Sequence, residues 1–120
     1  MKASNGIQIN PVAASVFKEV CQNAEKLIGK KLNEIYLYGS YARGDYNQWS
    51  DIDILITIDC ENEEIDNFFD DMSELASELS LKHDITVSIT MKSSAHFMRY
   101  ADVLPYYANV IKEGIKYCVA

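Results

Sequence analysis

"YGSYARGDYNQWSDIDILI", residues 38–56, sets Gly39-Ser40 ten residues ahead of Asp51 and Asp53, two aspartates among Ile52, Ile54, Leu55 and Ile56. The alternation predicts a strand over "SDIDILITID". Asp51, Asp53, Leu55 and Thr57 share one face of it, and Ile52, Ile54, Ile56 and Ile58 the other. Ionised carboxylates beside a core are costly unless something positive stands next to them. Two like charges roughly 6–7 Å apart along a strand raise their pKa or recruit a cation. Hard oxygen donors of this kind suit Mg²⁺ or Mn²⁺.

The upstream half of the stretch supplies a complementary element. "EIYLYGS" reads as a short strand that stops at Gly39, where the backbone has room to turn closely. Ser40 offers a hydroxyl and an N–H at the start of a short helical turn, where unpaired N–H groups attract anions. Arg43 is a fork that can clamp phosphate, and Gly44 lets the chain leave. A phosphate cradle and a metal-binding acidic pair joined by one loop describe a metal–triphosphate site.

Working outward, residues 1–9 read as a loose lead-in. Asn10-Pro11 opens a helix, with Val12, Val16, Phe17, Val20, Ala24, Leu27 and Ile28 as its apolar face and Gly29 as its stop. After the DxD strand, Glu61, Glu63 and Glu64 sit at the positive end of a second long helix. Ile65, Phe68, Phe69, Met72, Leu75, Ala76 and Leu79 are its expected apolar stripe, and Asp66, Asp70, Asp71, Glu74 and Glu78 its solvated face. "DITVSITM" predicts a third strand opened by Asp84, with His83 beside it as an exposed histidine without a role. Ser93 or Ser94 can cap a further helix, Pro105 breaks or restarts it, a last helix runs to Gly114, and "IKYCV" can form a final short strand. The aromatics Tyr38, Tyr41, Tyr46 and Trp49 are expected to pack the loop against the sheet. One compact α/β unit follows from this order.

The chain of 120 residues carries a formal net charge of −7. Lys30-Lys31 is its only basic pair, so nucleic acid is not an expected partner. A nucleotide escorted by Mg²⁺ fits that balance, because the metal brings its own positive charge. No apolar run reaches a membrane span and the first residues lack the apolar middle of a signal peptide, so the expected location is cytoplasmic. Cys21, Cys60 and Cys118 are odd in number and far apart, an argument against a disulfide framework or a zinc site.

The string "GSYARG…SDIDILI" resembles the signature of the nucleotidyltransferase superfamily of DNA polymerase β, in particular its minimal one-domain members. The resemblance covers about residues 30–92, and "DVLPYYANVIKEGI" is similar to the tail of small members. It implies an α+β fold, a small mixed sheet flanked by helices like the polymerase palm, spanning residues 1–120. The implied reaction moves a nucleoside monophosphate from ATP or another nucleoside triphosphate to an acceptor hydroxyl. It implies Asp51, Asp53 and a third carboxylate, Asp84, as catalytic and metal-binding residues. Two Mg²⁺ ions, or Mn²⁺, would be held there, with Gly39, Ser40 and Arg43 around the phosphates. It also implies a HEPN-type protein partner, a toxin whose tyrosine is modified by the transferase as antitoxin. Two alternatives remain open at this point: a non-catalytic module that masks a partner sterically, and a homodimeric enzyme acting on an antibiotic-like small molecule.

Overall fold

The computed structural model describes residues 9–117. The expectation of a loose lead-in falls mostly on residues outside that range, and Ile9, the one member inside it, is buried against the core. Cys118 also lies outside, while Cys21 and Cys60 are free thiols. Burial pushes the Cys21 thiol up to about 12, which keeps it inert.

Helix α1 (Pro11–Ile28) begins where the sequence says it must. The Asn10 side chain accepts from the N–H groups of Val12 at 2.8 Å and Ala13 at 3.2 Å, and Pro11 supplies no N–H to satisfy. Asn10→Ala should cost about 1 kcal/mol, read as a lower urea midpoint at unchanged slope. Gly29 ends the helix with φ +70°. The buried face is rotated from the expected one: Ala13 and Cys21 are inside, whereas Val12 and Leu27 are about two-fifths exposed.

A 3-10 turn over Gly29–Lys31 leads into β1 (Leu32–Tyr38), and Lys31 pairs with Glu64 at 2.7 Å. Helix α2 (Ser40–Arg43) is a single turn between β1 and β2 (Ile52–Ile58). Helix α3 (Asn62–His83) is closed at its start by a reciprocal bond between Glu61 and Glu64 and runs four residues beyond Leu79. Strand β3 (Val87–Ser93), α4 (Ser94–Tyr100), α5 (Pro105–Glu113) and β4 (Ile115–Tyr117) complete the order. Ser93 caps α4 and Pro105 opens α5.

The strands form one mixed sheet in the order β3-β2-β1-β4. β1 is antiparallel to both β2 and β4, and β2 runs parallel to β3 across the α3 crossover. One face of the sheet packs Ile52, Ile54, Ile56, Ile58, Ile35 and Leu37 against α1 and α3. The other packs Tyr36 and Leu55 against Phe97, Tyr107 and Val110 of α4 and α5. Thr57 is fully buried on this second face. An irregularity in β1 lets its hydroxyl accept from the Glu34 N–H at 2.9 Å, so the buried oxygen is satisfied.

Two apolar assignments shift outward. Phe69 is 59 % exposed and Trp49 81 % exposed, so neither packs the core or the loop as expected. Tyr41 does: it is buried and stacks on Tyr46 with ring centroids 4.4 Å apart. His83 is half-buried rather than exposed, with Nε2 3.6 Å from Glu19. Among the described residues no helix is long and apolar enough to cross a membrane.

Candidate active site

Consider first why Asp53 tolerates its position. It is the second residue of β2, on the same face as Leu55, with Tyr38 of β1 as its cross-strand partner. It is half-buried, and burial followed by the negative charge of Asp51 holds its pKa above the ordinary carboxylate value, while Arg43 draws it down. The two aspartates of the motif therefore act on each other. Asp51 is exposed, just ahead of the strand, where the Ile52 N–H bonds the Thr86 carbonyl at 2.9 Å.

Gly39 is needed here twice over. Its φ of +78° is a left-handed conformation that a side chain strains. A Cβ at this position would also stand 2.6 Å from Asp53 Oδ2. The backbone thus lies directly against the carboxylate and then turns into α2. Tyr38, Gly39, Ser40, Arg43 and Asp53 line one face of a cleft of about 400 Å³. Tyr106, Asn109, Val110 and Glu113 line the opposite face, from successive turns of α5.

Arg43 is gripped by two carboxylates: Nε donates to Asp45 at 3.1 Å and Nη1 to Glu113 at 3.2 Å. The Tyr38 and Tyr106 hydroxyls are 2.7 Å apart, and burial, then that hydrogen bond, pushes the Tyr38 phenol far above its usual range. Tyr38 is thus a neutral hydroxyl at working pH.

The structure brings Gly39, Ser40, Arg43 and Asp53 together in the cleft, and exposed Asp51 reaches them through its charge on Asp53. It does not bring Asp84 with them. The alternation in "DITVSITM" predicts Asp84 at the first position of the third strand. Instead it is exposed and caps the C-terminus of α3 in a left-handed conformation, φ 52°, its N–H bonded to the Ser80 carbonyl. An aspartate tolerates that conformation better than most residues, and β3 starts three residues later, at Val87. Ser88 holds the β3 position beside Asp53. Among the described residues no three His, Cys, Asp or Glu side chains gather as a metal-binding group. The acidic pair alone still fits one divalent ion of the Mg²⁺ type, which takes one or two carboxylates and fills its shell with water and phosphate oxygens. An excess of negative charge on a half-buried Asp53 is the local reason for that fit.

The α5 wall is absent from the residues the sequence alone points to. Its signal was present: Tyr106, Asn109, Val110 and Glu113 recur at helical spacing in "PYYANVIKE". Nothing in that stretch says which neighbour the polar side of the stripe faces.

Comparison with known proteins places the chain in a family. The family model described as the nucleotidyltransferase domain matches residues 15–118. A Methanocaldococcus jannaschii protein provisionally named protein adenylyltransferase MJ0604 is 36% identical over 84 residues, 70% of this chain and 76% of its own. A second from the same organism, MJ1379, with the same provisional name, is 31% identical over 105 residues, 86% of this chain and 95% of its own. Among solved structures, a mutant of the toxin–antitoxin MntA–HpeT superposes with a TM-score of 0.54 at 24% identity, covering 94% of this chain and 75% of that one. A toxin–antitoxin solved with AMP-PNP gives 0.51 at 25% identity, covering 82% and 70%. With the match running through nearly the whole sheet and its helices, the chain belongs to the nucleotidyltransferase family, among its small, minimal members.

Proposed function

We propose that the chain transfers the adenylyl group of ATP to a tyrosine hydroxyl of a HEPN-type protein partner, as the antitoxin of a toxin–antitoxin pair. The observation that carries the catalytic part is the close packing of Gly39 on Asp53 with Arg43 in the same cleft. The choice of adenylyl follows the names of the curated relatives, and the choice of partner follows the toxin–antitoxin complexes of the same fold. The acidic surface excludes a long nucleic acid as the favoured acceptor.

In this reading the triphosphate lies along Gly39, Ser40 and Arg43. Asp51 and Asp53 would hold a divalent ion of the Mg²⁺ type, which would supply neutralisation of phosphate charge and a lowered pKa for the acceptor hydroxyl. The acceptor oxygen bonds to the α-phosphorus, and the bond from that phosphorus to the bridging oxygen of the β-phosphate breaks. Pyrophosphate leaves, with its growing charge met by Arg43 and the Ser40 hydroxyl. The acceptor's proton passes to the acidic pair and on to water. Positioning and charge neutralisation do most of the work, as in other phosphoryl transfers. Asp84, exposed at the end of α3, is given no part in these steps.

The test is to incubate the chain with α-³²P-ATP, MgCl₂ and a candidate HEPN-type protein from the same organism. Label on a partner tyrosine, lost with EDTA, is the expected result. If an Asp51→Asn/Asp53→Asn variant still neutralises the partner with no label transferred, steric masking replaces catalysis as the function.

A further inference from the structure

Glu113 is the one residue of the α5 wall with a charged contact across the cleft. It projects from the last turn of α5 and meets Arg43 Nη1 at 3.2 Å, 70 residues away in sequence. Its carboxylate is only a third exposed. A negative group in a cleft built for a polyphosphate calls for a reason, because it repels the ligand.

The backbone around Glu113 leaves it little freedom. Gly114 follows at once, and its N–H bonds the Val110 carbonyl at 2.8 Å. A Cβ on Gly114 would collide with that same carbonyl and come within 3.3 Å of the Leu37 carbonyl and the Tyr36 ring. The next residue, Ile115, already pairs with Leu37 of β1. The end of α5 is therefore pressed against the strand that leads into Gly39, and Glu113 is aimed into the cleft by backbone packing.

The partner is held on opposite edges. Asp45 takes Nε of Arg43 and Glu113 takes Nη1, while Nη2 has no acceptor among the described residues. An arginine side chain left free spreads over many rotamers, and a long side chain ordered in advance loses less entropy when a ligand arrives. We propose that Glu113 is a positioning residue for Arg43: with Asp45 it grips the guanidinium and aims the remaining N–H groups at the polyphosphate and departing pyrophosphate. This rests on the assignment of the cleft to a nucleoside triphosphate. Glu113 acts here as a hydrogen-bond acceptor, and its charge is dispensable.

The neutral isostere separates that role from the others. Glu113→Gln keeps an oxygen for Nη1 and should leave the transfer rate within about threefold of wild type. Glu113→Ala releases the guanidinium and should lower kcat by about tenfold, the scale of a lost orientation. Arg43→Ala/Glu113→Ala should be no slower than Arg43→Ala alone, because the two residues act as one unit. A Gln variant as slow as the Ala variant would assign Glu113 a carboxylate's role, as base or metal ligand, and overturn the proposal. So would an Ala variant at wild-type rate, or effects of Arg43→Ala and Glu113→Ala that multiply.

Pyrophosphate titration by calorimetry on the full chain gives a readout without turnover. Glu113→Ala should weaken binding about fivefold, Glu113→Gln should bind as tightly as wild type or tighter, and Glu113→Ala should cause no weakening once Arg43 is gone. If the wild type takes up pyrophosphate with this pattern yet labels no partner, the acceptor assignment fails and the positioning role stands. If pyrophosphate binding ignores Glu113 in every background, the positioning role fails whatever the acceptor proves to be.

Discussion

If the proposed reaction is right, Asp53→Asn should lower kcat of nucleotidyl transfer by about a thousandfold or more and should raise thermal stability in metal-free buffer. Both effects follow from one arrangement. The Asp53 carboxylate is half-buried beside Asp51, and burial first and Asp51 second make its charged form unfavourable. Its folded pKa lies above the ordinary 3.8. Between those two values the native state keeps a proton that the unfolded chain has released, so stability falls as pH rises through that window. Above the window the cost of the buried charge is fully present. The amide removes the cost, and a rise in Tm of roughly 2–5 °C at pH 7 is expected for a chain of this size. Below about pH 3.8, where the carboxyl is protonated in both states, wild type and variant should converge. Mg²⁺ reverses the order: it should raise the Tm of the wild type and leave that of the variant nearly unchanged. Melting curves at pH 7 and pH 3.5, with and without MgCl₂, check all of this. A wild type that outlasts the variant without metal would show that Asp53 is compensated by a group other than Arg43.

Gly39→Ala has the second-largest effect, and Gly29→Ala is its control. Both glycines have positive φ, +78° and +70°, so each alanine carries a backbone cost of about 1–2 kcal/mol. A Cβ on Gly29 meets nothing within 4 Å, whereas one on Gly39 stands 2.6 Å from Asp53 Oδ2. Gly29→Ala should therefore lose stability and keep its specific activity. Gly39→Ala must also push the carboxylate or the turn aside. A displacement of that kind in a site that works by positioning should lower kcat about 100-fold. Urea titrations and transfer rates on the folded protein separate the two costs. Equal activity in both variants would show that the Gly39 contact with Asp53 has no part in catalysis.

Much of this was open to reading because the deciding features are local. Asn10-Pro11, Gly29, Ser93, Pro105 and Gly114 punctuate the helices by backbone chemistry that needs no distant partner. The isoleucines of β2 reveal a buried face by alternation alone. The motif loop is likewise contiguous, so Gly39, Ser40, Arg43, Asp51 and Asp53 could be named together. Asp84 shows the limit. Its neighbours alternate as a strand does from Asp84 onward, yet α3 runs to His83 and uses Asp84 to turn, which moves the strand's start to Val87. Alternation marks a pattern of faces and leaves open which residue first joins the ladder. The exposed Val12, Leu27 and Phe69 fail for a related reason: helical spacing gives the direction of a stripe, and the sheet decides how wide a stripe it covers.

Because α5 forms the far wall of the cleft and is seated by Gly114 against β1, nucleotide-handling competence comes late in a chain made from its amino end. While translation is still short of residue 113, the whole Gly-Ser and Asp-x-Asp signature has already been produced and has nothing to close against. Any relative that keeps those letters but replaces the closing helix inherits half a vessel and must find its other half elsewhere.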